Sequence, residues 1–379
     1  MKRVAIYRRE LLPTSETFIR DQVGALQSWR AVLLGLSESP DGLSTPGISR
    51  EIVAESSGRI SRALQRWFER PVPQFVNHLK RLDVALVHAH FGLDGTDIWP
   101  SVKAVGLPLL VTLHGFDVNV YREWWKSGKG GFLRRTYPRR LLRMSREPAV
   151  HFIAVSQAIR QRAIEYGIPA DKVTVSYVGV DTRKFKPGGL PIGDRPKRVL
   201  FTGRMVEKKA PLLMVRTFAE VRKRLPDAEL VMIGDGPLLN DAKELAGALT
   251  VPVEFLGARN PEEVLAELHQ ARVFCLPSVT ASNGDAEGFG IVLLEAQACG
   301  VPVVTSARGG ATEGIIDGRT GYRFPEGDEG ELANLLQRAL ADERANAAMG
   351  AEASEFVRRS FDIRVCTRKL EEIYDRHGH

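Results

Sequence analysis

Cysteine is scarce in this sequence, and the few cysteines are not arranged for cross-linking or metal binding. Cys275, Cys299 and Cys366 are widely spaced and form neither a CxxC nor a CxxH pattern. An odd number of such thiols argues against a disulfide framework and against a structural zinc site. His, Asp and Glu also show no ligand spacing, so the sequence predicts buried thiols and no bound metal.

Long hydrophobic runs are also missing. The opening residues MKRVAIYRRELL are basic but contain no apolar stretch of the length that a signal peptide needs. The longest apolar run, around Leu107–Leu113, is far too short to span a bilayer. We therefore expect a cytoplasmic protein, with peripheral attachment to the inner face of the plasma membrane left open.

The composition is that of a globular protein with more than one domain. The 379 residues exceed the usual size of one hydrophobic core, and 44% apolar with 26% charged residues is ordinary for soluble domains. Charge is uneven: residues 1–187 hold 29 Lys and Arg against 17 Asp and Glu, a net +12, whereas the remainder holds 24 against 29, a net −5. This asymmetry indicates that the first half meets an anionic surface, either nucleic acid or acidic lipid.

One basic segment favours acidic lipid over nucleic acid as the anionic partner of the first half. Residues 132–146, FLRRTYPRRLLRMSR, follow Trp124 and Trp125 and place arginines among Leu, Tyr and Met. Such a stretch suits an anionic membrane surface, a solvated helix face being the alternative. No nucleic-acid-binding motif accompanies the charge, so we expect no nucleic acid partner. The arginines are Arg134, Arg135, Arg139, Arg140, Arg143 and Arg146.

Short β-branched runs alternate with helix-length segments, which predicts parallel sheets covered by crossover helices. The Pro- and Gly-rich segment 185–198 predicts a linker between two such halves. Ligands bind at the carboxyl ends of parallel strands, so we expect a cleft between the two sheets. Strands are predicted in the first half at 4–7, 31–36, 84–90, 108–115, 151–156 and 173–180, and in the second at 198–204, 228–236, 253–257, 273–278 and 301–306.

The strongest motif is EGFGIVLLE, with carboxylates at Glu287 and Glu295. The apolar run Ile291–Ala298 predicts a buried helix whose N-terminus lies at Gly288–Gly290, where free N–H groups favour an anionic or hydroxyl-rich ligand. Glu287 would then accept hydrogen bonds from sugar hydroxyls, while Glu295, two turns inside, would bind a ribose. An internal salt bridge of Glu295 and a solvated Glu287 are the structural alternative.

Two further turns follow strands of the second half. GRMVEKK contains Arg204 and Lys209, whose donors suit the oxygens of a diphosphate, although a basic turn can simply be solvated. The turn at Gly234 and Gly236 would let the backbone approach a ligand closely, or serve only as a tight strand-to-helix turn.

In the first half, TLHGFD ends a predicted strand with His114 and Asp117. His114 could hydrogen-bond a sugar hydroxyl or lie beside the reacting bond, and Asp117 could orient an acceptor hydroxyl, whereas a structural role is the alternative for each. We expect His88 and His90, in HAHFG, to be structural.

The motifs together resemble those of the retaining glycosyltransferases of family 4, which have the GT-B fold. The resemblance implies an α/β protein with two Rossmann-like, doubly wound parallel-sheet domains facing a cleft. They are expected at 1–187 for the acceptor and 188–360 for the nucleotide sugar, with 361–379 as a helix that returns to the first domain. The motifs are PTSETFI, HAHFG, TLHGFD, AVS, GVDTRKF, GRMVEKK, IGDGP, FLGAR, LPS, EGFGIVLLE and ACGVPVV.

The resemblance also implies roles for individual residues. The donor sugar would be held by Glu287, Gly288, Phe289 and Gly290 and approached by His114 from the opposite domain. The diphosphate would lie against Arg204, Lys209, Ile291 and Val292. The ribose and base would contact Glu295, Gly257, Arg259 and Gly234. His114, Glu287, Arg204 and Lys209 would be the catalytic residues, in a reaction that retains anomeric configuration without a cofactor or metal.

Two departures from the family pattern bear on the acceptor. The first strand is followed by LLPTSETFI rather than a Gly-Gly turn, and Ala210 stands where Gly often follows the Lys. The SETFI version is similar to members that build bacterial exopolysaccharide or lipopolysaccharide units, which implies a lipid-linked saccharide acceptor near Glu16 and Thr17. An epimerase or hydrolase of nucleotide sugars and a non-catalytic saccharide- or membrane-binding module remain alternatives. A nicotinamide-dependent dehydrogenase is disfavoured, because no G-x-G-x-x-G follows the first strand.

Overall fold

The computed structural model describes residues 1–40, 42–53, 69–306 and 308–378. The chain divides into two compact units, one formed by Met1–Gly179 with Ile363–His379 and the other by Val180–Asp362. The division therefore lies after Gly179 rather than after residue 187, because the segment that follows packs on the second unit. Lys184 forms an ion pair with Glu262 there, at 2.9 Å.

The described residues of the first unit contain a seven-stranded parallel sheet with the order β5-β3-β1-β6-β7-β8-β9. A two-stranded ribbon, β2 with β4, lies beside it. The strands are β1 Lys2–Tyr7, β2 Glu10–Leu11, β3 Trp29–Gly35, β4 Ser37–Glu38, β5 Ser49–Ile52, β6 Leu86–His90, β7 Leu109–Leu113, β8 Val150–Ala154 and β9 Val173–Val175.

The second unit holds a six-stranded parallel sheet with the order β12-β11-β10-β13-β14-β15. In both sheets the chain winds outward from the first strand and then restarts on its other side, so each sheet has a switch point. The strands are β10 Arg198–Thr202, β11 Glu229–Ile233, β12 Val253–Gly257, β13 Val273–Leu276, β14 Val303–Ser306 and β15 Gly321–Phe324.

Helices connect successive strands. Central strands such as β7 are buried on both faces, which explains why they are continuously apolar. The helices of the first unit are α1 Thr17–Gly24, α2 Pro73–Leu82, α3 Gly92–Ala104, α4 Phe116–Asn119, α5 Arg122–Lys126, α6 Tyr137–Met144, α7 Gln157–Glu165 and, at the C-terminus, α14 Ile363–His377. Those of the second are α8 Pro211–Arg224, α9 Leu239–Ala248, α10 Pro261–Gln270, α11 Ile291–Ala298, α12 Glu329–Ala341 and α13 Glu343–Ser360.

The predicted linker, residues 185–198, is packed rather than free. Arg195 is buried, and its guanidinium donates to the carbonyl oxygens of Leu190 at 2.8 Å and Ala271 at 2.8 Å. A buried arginine whose donors are satisfied by backbone carbonyls fixes the segment to the second unit. High Pro and Gly content identified a segment with little regular structure, but composition did not reveal this side-chain anchor.

Candidate active site

The second unit presents the N-terminus of α11 next to a pair of loops. Gly290 precedes the helix with φ +76° and ψ +56°, and a Cβ there would lie 2.9 Å from Cδ1 of Leu293. Glycine therefore allows the chain to enter the helix directly from the EGFG turn. The predicted helix Ile291–Ala298 is confirmed, with Gly288 and Phe289 buried just before it.

Glu287, in the EGFG turn, forms an ion pair with Lys209 of the GRMVEKK loop. Nζ of Lys209 donates to Oε2 of Glu287, and both side chains are mostly buried. Burial by itself raises the pKa of Glu287, but the ammonium groups of Lys209 and Lys208 outweigh it and hold the pKa below its ordinary value. The site therefore holds an ionised carboxylate beside a cation, although 78 residues separate the two in the chain.

Two more contacts join the same loops. Glu207 accepts hydrogen bonds from the backbone N–H of Ser282 at 2.8 Å and its hydroxyl at 2.9 Å. Lys208 pairs with Asp285 at 3.0 Å. Three consecutive residues of GRMVEKK thus bind three positions of the loop that leads into the EGFG turn, which fixes the position of Glu287.

The glycine turn after β11 packs directly against the GRMVEKK loop. Gly234 has φ +135°, and a Cβ there would lie 2.0 Å from the carbonyl oxygen of Gly203. Gly234 also donates its N–H to the carbonyl of Gly257 at 2.8 Å, while Met205 donates to the carbonyl of Asp235 at 2.9 Å. The turn therefore brings the backbone close to the protein's own loop, and the predicted approach to a ligand stays a prediction.

The remaining predicted residues of this unit lie around the loops. Arg204 is exposed, and within the described residues its guanidinium has no hydrogen bond or ion pair. Ile291, Val292 and Glu295 are half-buried on α11. Arg259 lies 3.8 Å from Glu263, and Gly257 has φ +69°. An unpaired arginine next to a paired lysine leaves the loop able to receive an anion.

In the first unit His114 and Asp117 lie beyond β7. Both oxygens of Asp117 accept backbone N–H groups, from Gly92 at 2.6 Å and from His114 at 2.8 Å. Asp117 is completely buried, and burial raises its pKa to about 6. Its contacts connect the start of α3 with the end of β7, so in this structure it binds backbone, and the predicted acceptor role stays a prediction.

Three histidines of the first unit, His88, His90 and His114, lie next to one another. Nδ1 of His90 lies 3.1 Å from Nε2 of His114. His88 contacts the hydroxyls of Tyr374 and Thr112, each at 2.7 Å. The structural role expected for His88 agrees with these contacts, whereas His90 touches the candidate sugar ligand His114 directly.

Arg8 lies at the end of β1, beside these histidines, and was not singled out from the sequence. Its guanidinium binds both oxygens of Glu16, at 2.9 and 2.5 Å, and also pairs with Asp94. Glu16 is buried, and its carboxylate is already bound by Arg8. Thr17 is half-buried at the start of α1. The rule that ligands bind at the ends of parallel strands applies to Arg8 and could have found it.

The basic segment divides into a structural and an exposed part. Arg140 is buried, donates to the carbonyl of Thr96 at 2.5 Å and pairs with Asp97 at 3.2 Å. Arg143 pairs with Glu69 at 3.1 Å. The exposed part of the segment, taken together with the exposed Tyr121, is named the basic surface here; it comprises Tyr121, Phe132, Leu133, Arg134, Arg135, Arg139 and Arg146.

The described residues contain no helix that is long and apolar enough to cross a membrane. Within the same ranges, no three His, Cys, Asp or Glu side chains are grouped so that they could hold a metal ion.

Comparison with known families identifies both halves of the chain. Residues 182–356 match the family described as glycosyl transferases group 1, and residues 29–184 match glycosyltransferase family 4. The amylovoran biosynthesis glycosyltransferase AmsK of Erwinia amylovora is 31% identical over 298 residues, covering 78% of this chain and 70% of that protein.

A second relative and a solved structure complete the comparison. The GDP-mannose-dependent alpha-(1-6)-phosphatidylinositol monomannoside mannosyltransferase of Mycolicibacterium smegmatis is 36% identical over 52% of this chain, and the match spans only 54% of that enzyme. The crystal structure of Anabaena HepE in complex with UDP-glucose superposes with a TM-score of 0.80 at 20% identity, covering 99% of this chain and all of the other. That likeness shows that the two chains share a fold.

Proposed function

The chain belongs to the group 1 glycosyl transferases, also described as glycosyltransferase family 4, and we propose that it transfers a sugar from a UDP- or GDP-sugar to a saccharide acceptor with retention of anomeric configuration. The observation that carries the proposal is the Lys209–Glu287 pair beside the unpaired Arg204. A carboxylate for sugar hydroxyls pairs with a cation for a diphosphate, and a second cation lies in the same loop as the first. This is the set of groups that a nucleotide sugar needs.

The same groups supply the chemistry. As the glycosidic bond breaks, negative charge grows on the leaving diphosphate, and Arg204 and Lys209 would stabilise it. Glu287 would orient the sugar through its hydroxyls, assisted by the N–H groups at the start of α11. We propose that these side-chain cations replace the divalent metal that other sugar transfers use, so that the reaction needs no added metal or cofactor.

A lipid-linked saccharide is the proposed acceptor. The SETFI motif supports this assignment, and so do two relatives, one acting in amylovoran synthesis and the other named for a phosphatidylinositol mannoside. The basic surface supports it independently, because exposed cations beside Phe132, which is 65% exposed, match an anionic interface. The proposed location is therefore the inner face of a membrane, reached peripherally.

A transfer assay tests the proposed reaction. Purified protein is incubated with UDP- and GDP-sugars and a detergent-solubilised lipid fraction, with EDTA present, and the anomeric configuration of the product is read by proton NMR. We expect an α-linked product from an α-linked donor. Consumption of the donor without acceptor would favour the epimerase or hydrolase alternative, whereas an inverted product would contradict the retaining reaction.

Vesicle binding tests the membrane assignment. Co-sedimentation with vesicles that contain phosphatidylglycerol, whose anionic surface attracts polybasic segments, should be strong for the wild type and weak for Arg134→Glu/Arg135→Glu. The control is Arg368→Glu/Lys369→Glu, which makes the same charge change at exposed positions on α14 of the same unit. Equal losses in both variants would mean that only net charge matters.

A further inference from the structure

His90 makes a direct contact with His114 that is unusual for a buried histidine. Its Nδ1 is 3.1 Å from Nε2 of His114, and the two rings are stacked with centroids 5.3 Å apart. Phe18 and Phe91 flank the ring of His114, with centroids at 5.0 and 4.5 Å. The plane of His114 is therefore fixed by aromatic neighbours, and one of its two nitrogens is taken by His90.

Both rings are neutral. Burial lowers the pKa of His114 to about 3 and the pKa of His90 well below its ordinary value, with nearby Arg8 acting in the same direction on both. A hydrogen bond between two neutral imidazoles requires a protonated nitrogen on one ring and a bare nitrogen on the other. The tautomers of His90 and His114 are therefore linked.

The other nitrogen of His90 decides which ring donates. Nε2 of His90 is buried and has no hydrogen-bond partner among the described residues. If His114 donated, the proton of His90 would have to lie on this nitrogen, and a buried N–H would lack an acceptor. If His90 donates from Nδ1, only a lone pair is left without a partner. Orphaned buried N–H groups are rarer than under-satisfied acceptors, so His90 is the donor.

We propose that His90 is a positioning residue that holds His114 as its Nδ1–H tautomer, so that His114 offers a hydrogen-bond donor to a sugar oxygen. Nδ1 of His114 has no partner in the described part of the chain, and the backbone N–H of His114 is held by Asp117. The inference rests on the proposed function, since it takes the donor sugar as the ligand of His114, and it gives His90 a role that the family resemblance did not assign.

Nitrogen NMR on histidine-labelled protein tests the tautomer without any substrate. Long-range 1H–15N spectra distinguish a protonated from a bare ring nitrogen, and the His114 signals are assigned by their loss in His114→Asn. We expect a protonated Nδ1 and a bare Nε2 on His114. His90→Phe, which keeps the stacked ring but removes the donor, should abolish this single-tautomer pattern, and His90→Asn, whose amide can replace Nδ1–H, should restore it.

Turnover provides the second readout. His90→Phe should lower kcat about tenfold with little change in the KM for the nucleotide sugar, as expected when one oriented hydrogen bond is lost, and His90→Asn should recover most of it. The control is His151→Phe, which removes a histidine of β8 that contacts Thr174 at 2.8 Å. It should change neither the His114 spectrum nor kcat.

The outcomes separate this inference from the proposed function. A proton on Nε2 of His114 in the wild type, or an unchanged His114 tautomer in His90→Phe, would overturn the role of His90 even if sugar transfer is observed. The expected tautomer pattern in a protein that transfers no sugar would support the His90–His114 arrangement and overturn the transferase assignment instead.

Discussion

Glu287 and Lys209 neutralise each other before any ligand binds. This pairing determines the effects that we expect from substitutions of Glu287 and of the neighbouring Arg204. The pair is mostly buried, so a cation left without its carboxylate is more available to a diphosphate. In the proposed roles, loss of Glu287 would therefore remove a sugar contact but not a phosphate contact. Arg204, which is exposed and unpaired within the described residues, is instead assigned to the diphosphate, so its loss would remove a phosphate contact but not a sugar contact.

Glu287→Ala should lower kcat by about 100-fold, the order of effect seen when one stabilising group is removed from an active site, and leave the Kd for the nucleoside diphosphate nearly unchanged. Arg204→Ala should weaken diphosphate binding about tenfold, since a charge-assisted hydrogen bond is lost. Steady-state kinetics and calorimetric titration measure the two. Glu244→Ala, at an exposed position on α9, is the control. Equal, mild losses in kcat and Kd would contradict the division of roles.

Buried titratable groups of the first unit determine how its stability depends on pH. Burial lowers the pKa of His88 and His114 to about 3 and of His151 to about 4, so these groups increasingly destabilise the fold as the pH falls below the ordinary histidine pKa of about 6.5. Asp94 and Asp117 have pKa values raised to about 6, so they act in the opposite sense. Because the histidines are more numerous and their shifts larger, the histidines should dominate.

The melting temperature of the first unit should therefore fall as the pH is lowered from 7 to 5. Differential scanning calorimetry across this range, at constant ionic strength, measures it. A melting temperature that is higher at pH 5 than at pH 7 would show that Asp94 and Asp117 outweigh the histidines.

The roles of residues could be predicted where the residues share a short sequence motif. They could not be predicted where residues far apart in the chain become neighbours only through the pairing of strands. EGFGIVLLE and GRMVEKK pointed to Glu287 and Lys209, and the structure pairs them. Arg8 and Asp94 are 86 residues apart and become neighbours because β1 and β6 pair in parallel. No local pattern in the sequence marks such a pair.

Among the elements, the glycine turn after β11 makes the strictest demand on the sequence. Gly234→Ala should destabilise the second unit by about 3 kcal/mol, because the new Cβ would collide with the backbone of Gly203 at a φ that alanine avoids. Gly247→Ala is the matched control: it lies exposed in α9 with open space around it, and should stabilise by about 0.5–1 kcal/mol. Urea denaturation of both variants measures the difference, and similar destabilisation by both would remove the steric explanation.

Strand prediction succeeded in the centre of each sheet and at one edge of each, β9 and β12, and missed the strand at the opposite edge. Every predicted strand is present, because each contains an apolar run that is visible in the sequence. Ser49–Ile52 and Gly321–Phe324 were not predicted, and both lie at a sheet edge. SREI is largely polar and GYRF begins with glycine, so neither has the apolar run that marks a buried strand.

At the scale of the whole chain, α14 brings the C-terminus back to the first unit. Oε1 of Glu371 accepts the backbone N–H groups of Gln27, Ser28 and Trp29, at 2.9, 2.7 and 3.0 Å. The indole of Trp29 also donates to Asp375 at 3.0 Å. One carboxylate oxygen thus satisfies three backbone donors at the entry to β3.

Glu371→Ala should destabilise the first unit by about 3 kcal/mol, since backbone donors would be left without partners. Glu372→Ala, at the exposed neighbouring position, should have almost no effect. Chemical denaturation, followed by the fluorescence of the tryptophans, all of which lie before residue 126, reports on this unit. A small effect of Glu371→Ala would mean that apolar packing of α14 alone holds the C-terminus.

The two-domain organisation was readable from length and from the repeated alternation of strands and helices. The exact residue at which the chain passes from one unit to the next could not be predicted. That boundary depends on side-chain contacts such as those of Lys184 and Arg195 rather than on composition. The nucleotide and the sugar depend on the shape of a binding site, and no motif in this chain specifies them.

Binding of nucleotides to the purified protein tests the central claim most directly. The melting temperature is measured in EDTA with UDP, GDP, ADP and dTDP and with their common sugar conjugates, for the wild type and Arg204→Ala. A ligand that binds the native state raises the melting temperature by mass action. We predict a rise with one nucleotide family that is much reduced in Arg204→Ala. No rise with any of them at concentrations well above millimolar would contradict a nucleotide-sugar-dependent transferase.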